Sequence, residues 1–299
     1  MKTKRINFPI IPPKHTSGKI AVPEHLPSLH GIHIWVGRRN AGKTVAATNL
    51  IRRYMDCGAI ERVILVSPTY ESNIHTFKPL NLKPEDVVTP TKDAVAKIKT
   101  MLDEEVAEWE EYHRKKREYR SFIKEMSSQR SVHALDIDRL SSWETMGFFE
   151  EEPKWKRPDD THPTRIYVLC DDVFGSPMLR MGKGQEDFVN LCIAHRHQMV
   201  SGNIGYGCSI GILTQSYCAV ASVPRPVREN CTLLCLFLNS DEKQRAKIKE
   251  ELSDIPNLER FEEFWNYAVS KPHGFLCVDM NPPTPEKRFR AQYDEYLFS

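Results

Sequence analysis

With 299 residues, 40% of them hydrophobic, and 42 Lys and Arg against 40 Asp and Glu, the chain has an ordinary globular composition and a net charge of +2. That length accommodates one large domain or two small ones around a real core, and near-neutrality leaves no global field to draw in nucleic acid, so any such contact must come from local patches. No apolar run reaches the roughly 18 residues of a membrane span and the first residues lack the apolar stretch of a signal peptide, so a soluble, intracellular protein with no membrane partner is expected.

Residues 1–29 carry Pro9, Pro12, Pro13, Pro23 and Pro27 among short apolar clusters. They read as an extended arm, lying either on the surface of its own chain or against a neighbouring subunit. Residues 30–79 form the first part of a core. Ile32, Ile34, Trp35 and Val36 read as a short buried strand, and Val45 to Met55 as a helix. Between them, Gly37-Arg38-Arg39-Asn40-Ala41-Gly42-Lys43-Thr44 fits G-x-x-x-x-G-K-[ST], the phosphate-binding loop. Glycines let such a loop curl until its backbone N–H groups face phosphate oxygens. Lys43 would then supply charge to the β- and γ-phosphates, the Thr44 hydroxyl would ligate Mg²⁺, and residues 37 through Val45 would line the nucleotide. Arg62 to Ser67 follows as a second buried strand, running into Pro68-Thr69.

Residues 80–164 interrupt this frame. From Thr91 to Gln129 the apolar positions Val95, Ile98, Leu102, Val106, Trp109, Tyr112, Tyr119, Phe122 and Met126 recur at helical spacing, with Lys116 interrupting them. One long amphipathic helix, about 50 Å if unbroken, or a broken pair is expected. Acidic residues precede basic ones along it, which favours pairs such as Glu110 with Arg114. Arg114 to Arg120 could be a solvated face or a contact for DNA or a partner. A proline-punctuated linker, 150–164, closes the insertion.

Residues 165–240 supply the second part of the core. Arg165 to Asp172 is a buried strand finishing in two carboxylates, the pattern of a Walker B strand. Such a pair beside an apolar core is costly unless a cation compensates. Asp171 would hold the metal, and Asp172 would orient or deprotonate the attacking water. Residues 185–199 read as a helix ending near Arg196-His197, followed by a glycine-rich loop at 202–207. Ser209 to Thr214 is the next strand, with Gln215 just beyond it, where ligands gather in open α/β sheets. Arg225 and Arg228 sit in a proline-stiffened turn, available either to a neighbour's γ-phosphate or to a surface acid. Thr232 to Leu238 is a further buried strand. In residues 241–299, Asp241 to Leu252 and Leu258 to Ala268 read as helices, Gly274 to Met280 as a terminal strand, and the segment with Lys287, Arg288, Arg290, Tyr293, Tyr296 and Phe298 as an exposed end. The eight cysteines contain no C-x-x-C pair. They read as free thiols in a reducing compartment, Cys231 and Cys235 as buried strand residues. The fold class is α/β, a RecA-like P-loop NTPase core with a mostly parallel central sheet and a helical insertion.

Taken in order, Gly-Arg-Arg-Asn-Ala-Gly-Lys-Thr, Leu-Cys-Asp-Asp, Arg196-His197, Leu-Thr-Gln-Ser-Tyr at 213–217 and Pro-Val-Arg-Glu-Asn at 226–230 resemble the poxvirus-type genome-packaging ATPases of large DNA viruses, within the HerA/FtsK superfamily of DNA-pumping motors. The resemblance spans roughly residues 30–240. It implies a ring-like homo-oligomer, of five or six subunits, that hydrolyses ATP with Mg²⁺ and threads double-stranded DNA into a capsid through a capsid or portal component. It further implies Gln215 as a sensor, Arg228 as an arginine acting across subunits, and a location in the infected cell, its virus factory or the virion. Asp171-Asp172 departs from the commoner Asp-Glu. Two rivals stand beside this reading. Ser67-Pro68-Thr69 suggests a terminase-like motor, although about 60 residues after 240 are too few for a nuclease domain. An ATP-dependent switch or assembly factor that moves no DNA is the other.

Overall fold

The computed structural model describes residues 20–128, 136–180, 182–219, 222–239, 241–255 and 258–298. In chain order, strand β1 (Ile32–Val36) leads through a loop into helix α1 (Lys43–Asp56), then β2 (Arg62–Val66), α2 (Tyr70–Phe77) and β3 (Val87–Val88). Two helices follow, α3 (Ala94–Ser128) and α4 (Ile137–Thr145), before β4 (Ile166–Asp171) and α5 (Lys183–Ile193). A small hairpin, β5 (Val200–Ser201) and β6 (Ile204–Gly205), precedes β7 (Ser209–Thr214), α6 (Arg225–Glu229) and β8 (Leu233–Phe237). The chain ends with α7 (Glu242–Glu251), α8 (Phe261–Ala268), β9 (Phe275–Asp279), β10 (Phe289–Ala291) and β11 (Glu295–Tyr296).

Nine strands make one sheet in the order β11-β10-β9-β8-β1-β7-β4-β2-β3. From β8 to β3 every pairing is parallel, whereas β9, β10 and β11 add antiparallel strands at the other edge. The fold is therefore mixed α/β with a largely parallel sheet flanked by helices. Strand side chains alternate between faces, and the core divides accordingly. Ile32, Ile34 and Val36 pack with Ile64, Val168, Ile210 and Leu234 on one face, covered by the first turns of α3 and by α5 and α8. Trp35 packs with Leu65, Leu169, Leu213 and Cys235 on the other, covered by Leu50, Ile51 and Tyr54 of α1. Burial on both faces explains why these strands are continuous apolar runs in the sequence.

Several expectations change in the folded chain. Helix α3 is unbroken for 35 residues. Lys116 does not interrupt it, because its ammonium reaches Asp160 in the linker and lies 5.3 Å over the Tyr112 ring. The first half of α3 belongs to the main core through Val95, Ile98, Leu102 and Val106, and Arg62 of β2 is bonded to Asp86 and to Glu105 of α3, each at 2.7 Å. The distal half and α4 close a separate small cluster of Phe122, Trp143 and Phe148. The helix expected over 185–199 stops at Ile193, and the glycine-rich stretch after it is the β5–β6 hairpin. Of the amino-terminal arm, residues 20–29 lie along their own chain: Ile20 bridges Leu29, and the Tyr54 hydroxyl donates to Pro27 O at 2.9 Å. Residues 1–19 and Gln129 lie outside the described residues. All eight cysteines are free, with Cys231 and Cys235 buried. Among the described residues no helix is long and apolar enough to cross a membrane.

The segment read as an exposed end is the largest correction. Phe289–Ala291 pairs with β9, and Arg290 is 1% exposed, its guanidinium 3.3 Å from the buried Asp279 and 2.6 Å from His25 O. Its basic residues read as a solvated tail, yet Lys287 and Arg290 reach Glu24 and His25, 263 and 265 residues back. Burial raises the Asp279 carboxyl above its ordinary range even with Arg290 beside it. Removing the cation would leave that carboxyl buried without its partner. Arg290→Met is therefore expected to destabilise the protein by about 3–5 kcal/mol in chemical denaturation. An unchanged midpoint would show that the pair contributes nothing.

Candidate nucleotide site

Strand β1 ends at Val36, and the Gly37 N–H donates to Thr214 O of β7 at 3.1 Å. A Cβ at Gly37 would stand 2.7 Å from Phe237 Cβ and 3.2 Å from Ala41 Cβ, so the loop closes against β8 only with glycine there. The chain then exposes Arg38, Arg39 and Asn40, turns through Asn40 (φ 62°) and Gly42 (φ 101°), and enters α1 at Lys43. Positive φ at Gly42 is the backbone freedom the motif needs. No side chain caps this helix start, which leaves the N–H groups of its first turn, at the positive end of the helix dipole, directed at the loop. Ala41, Gly42, Lys43 and Thr44 are half-buried, and Val45 is exposed. The Lys43 ammonium donates to Gly37 O at 2.8 Å and Arg38 O at 3.0 Å, holding the curl from inside. Burial lowers its pKa, opposed by the charges of Asp171 and Asp172.

Those two carboxylates arrive on β4. The register pairs Val36 with Thr214 and Leu213 with Asp171, so β1, β7 and β4 end on one edge of the sheet. With strands about 4.8 Å apart, the loop and the acids face each other across roughly 10 Å. Asp171 is buried and Asp172 exposed, the latter in a left-handed turn with φ 53°. Burial, reinforced by the charge of Asp172, pushes the Asp171 carboxyl up to about 6, against the pull of Lys43. Gln215 extends from β7 with its amide 3.5 Å from Asp172 Oδ1, a long contact that places both side chains over the same gap. The Asp171 charge is thus only partly compensated by the protein. With the Thr44 hydroxyl it makes a hard-oxygen donor set suited to a divalent ion shared with phosphate. No cluster of three or more His, Cys, Asp and Glu exists among the described residues, so such an ion would depend on phosphate and water for its remaining ligands.

No protein-family profile and no curated protein matches the chain. Among solved structures, it is similar to the pCW3 conjugation coupling protein TcpA in monomer form with ATPγS, at 15% identity and a TM-score of 0.43, over 88% of this chain and 60% of that one. The chain thus spans less than two thirds of TcpA. It is also similar to the genome packaging NTPase B204 of Sulfolobus turreted icosahedral virus 2, at 14% identity and TM-score 0.42 with AMPPCP, and at 13% and 0.38 with ATPγS. Each of these two likenesses covers 85% of this chain and 94% of B204.

The remaining sequence candidates fall elsewhere. Arg228 is held in its own chain, donating to both Glu251 oxygens at 2.9 and 2.7 Å and to Val223 O at 2.6 Å, with its guanidinium over the Tyr217 ring. Burial alone would raise Glu251, yet the hydrogen bond and charge of Arg228 hold it below its ordinary range. Arg225 is 77% exposed and paired with Glu229, one helical turn away. Arg196 and His197 are exposed at the opposite edge, since Cys208, just before β7 begins, bonds back to His195. Six residues of β7 put about 20 Å between them and Gln215. What the sequence reading missed is the carboxyl-terminal wall of the loop. His273 Nδ1 lies 3.3 Å from Ala41 O, and the Tyr293 hydroxyl joins Trp35 to Ala46. No local pattern marks either residue.

Proposed function

We propose that the chain is a Mg²⁺-dependent ATPase motor that moves double-stranded DNA, and that its task is packaging a viral genome into a capsid. The observation that carries this reading is the strand order. Strand β7, with Gln215 just beyond its end, separates the strand that leads into the loop from the strand that ends at Asp171 with Asp172 next, so cradle, acids and amide open together on one edge. In this reading residues Gly37 to Val45 hold the phosphates, with Lys43 turning from the loop carbonyls to the β- and γ-oxygens. Asp172 orients the attacking water and accepts its proton, and Gln215 positions it. Thr44 and Asp171 would hold Mg²⁺, which neutralises phosphate charge when bound. The packaging task and the ring-like homo-oligomer rest on the motif resemblance.

The test is the ATPase rate with and without double-stranded DNA, together with the oligomeric mass. DNA stimulation in an assembly of several subunits supports the motor. Slow turnover indifferent to DNA supports the second reading, a nucleotide-dependent switch, which is favoured by one specific observation: Arg228 is locked to Glu251 within its own chain. Mixing subunits separates the two further. If an arginine completes a neighbour's site, Arg228→Ala or Arg225→Ala subunits mixed with Asp172→Ala subunits recover activity that neither has alone. No recovery with either arginine variant would remove the shared site.

A further inference from the structure

Gln215 leaves the end of β7 as an exposed side chain whose amide stands 3.5 Å from Asp172 Oδ1. A contact that long does little to aim it, so the direction of the side chain is set by its backbone. That backbone is held from helix α7. We propose that Gln244, on α7, is the positioning residue for Gln215: its amide clamps the two residues that follow Gln215 and so fixes where that side chain stands relative to Asp172. The inference rests on the reading of Gln215 as the group that positions the attacking water.

Helix α7 reads Glu-Lys-Gln-Arg-Ala-Lys-Ile-Lys-Glu-Glu, and its two buried residues are Gln244 and Ile248, which helical spacing puts on one face. Ile248 joins the main core, whereas Gln244 brings an amide to a place where packing alone would favour another apolar side chain. Burying it is costly unless both of its ends are bonded. Both are. Gln244 Oε1 accepts the Tyr217 N–H at 2.9 Å, and Gln244 Nε2 donates to Ser216 Oγ at 3.2 Å. A backbone N–H can only donate, which fixes the orientation of the amide. The same turn is closed from the strand side, where the Thr214 hydroxyl donates to Ser216 O at 2.7 Å and accepts from Ser216 N at 3.3 Å. Gln215 therefore sits between two tied neighbours. The clamp is itself braced. Asp241 caps α7 by accepting from Gln244 N at 3.1 Å, and Glu251, at the other end of the helix, holds Arg228 with its guanidinium 5.2 Å from the centre of the Tyr217 ring. Tyr217, itself buried, is thus gripped twice by α7, at its backbone from the first turn and at its ring through the last. A buried network whose members are all bonded holds one geometry, which is what an exposed side chain beyond it needs.

Steady-state ATP turnover of the full chain, measured across ATP concentration, tests the assignment. Gln244→Met keeps the side-chain length and removes both bonds; kcat is expected to fall about 10–100-fold, the scale on which a displaced group costs rate, with KM within about threefold of wild type. Gln244→Glu can still accept from the Tyr217 N–H and from the Ser216 hydroxyl, and its charge lies in the first turn of a helix, so kcat should recover to within about threefold of wild type. In a Gln215→Ala background, Gln244→Met should change kcat by less than about twofold, because the group it positions is gone. Should Gln244→Met fail to fold by thermal melt, Ser216→Ala removes half of the clamp and is expected to lower kcat about threefold or more, again with no further effect on Gln215→Ala. A folded Gln244→Met protein with wild-type kcat, a loss confined to KM, no recovery in Gln244→Glu, or a loss that multiplies with that of Gln215→Ala overturns the assignment. If Gln215→Ala alone turns over ATP like wild type, the reading of Gln215 fails and takes this inference with it.

Discussion

Lys43→Ala is expected to lower ATP turnover by about 10²–10³-fold or more, the scale on which preorganised charge stabilises a transition state. The reason lies in where the lysine stands. Its ammonium is already partly desolvated and held 2.8 Å from Gly37 O, so little reorganisation would separate it from phosphate oxygens bound on the same loop. Removing it takes away the loop's inner brace and a half-buried cation facing the acids. A second consequence follows for Asp171, whose rise is opposed by Lys43. In the variant its carboxyl should titrate still higher, observable as a shift of its carboxyl resonance against pH. Turnover within a few-fold of wild type would sink the catalytic assignment of the whole loop.

Asp171→Asn is expected to make the protein inactive and more stable. In the folded chain the carboxyl titrates near 6 against an ordinary value of 3.8. This difference of about two units corresponds to roughly 3 kcal/mol of unfavourable charge burial as an upper limit. The sign runs against the usual acid case. Between pH 4 and 6 the folded state holds a proton that the unfolded state has released, so this group's contribution to stability falls as pH rises through that window and is fully lost above it. Wild type without nucleotide should therefore be less stable at pH 8 than Asp171→Asn by about 1–3 kcal/mol, with the gap closing toward pH 4. Denaturant titrations at the two pH values measure it. A less stable Asn variant at pH 8 would mean the carboxylate is compensated within the protein, and the argument for a cation there would be lost. Stability given up for a charged site is a common exchange in binding sites.

The phosphate loop, its flanking strand and helix, and the paired acids at a strand end were legible in the order of residues. The chemistry there is set by neighbours a few positions apart: glycines where φ must be positive, a lysine one residue into a helix, an apolar run that stops at two carboxylates. The same holds for the central strands, whose burial on both faces leaves continuous apolar stretches, and for α3, whose apolar period survives Lys116 because the linker supplies that side chain with a partner.

Other features depend on contacts between separate segments, from 11 to 265 residues apart, and for these residue order carries no sign. Arg290 reads as a solvated charge until Asp279 and His25 close around it. Phe289–Ala291 is too short to announce a strand, yet β9 offers an open edge on which it pairs. Arg228 looks free for a neighbour, but Glu251, 23 residues later, binds it with two hydrogen bonds. Local spacing thus sufficed for the curled loop to which phosphate binding is assigned as a proposal. The wall of His273 and Tyr293 beside it exists only because the end of the chain folds back onto α1, where long-range packing outweighs the local preferences of a short polar segment.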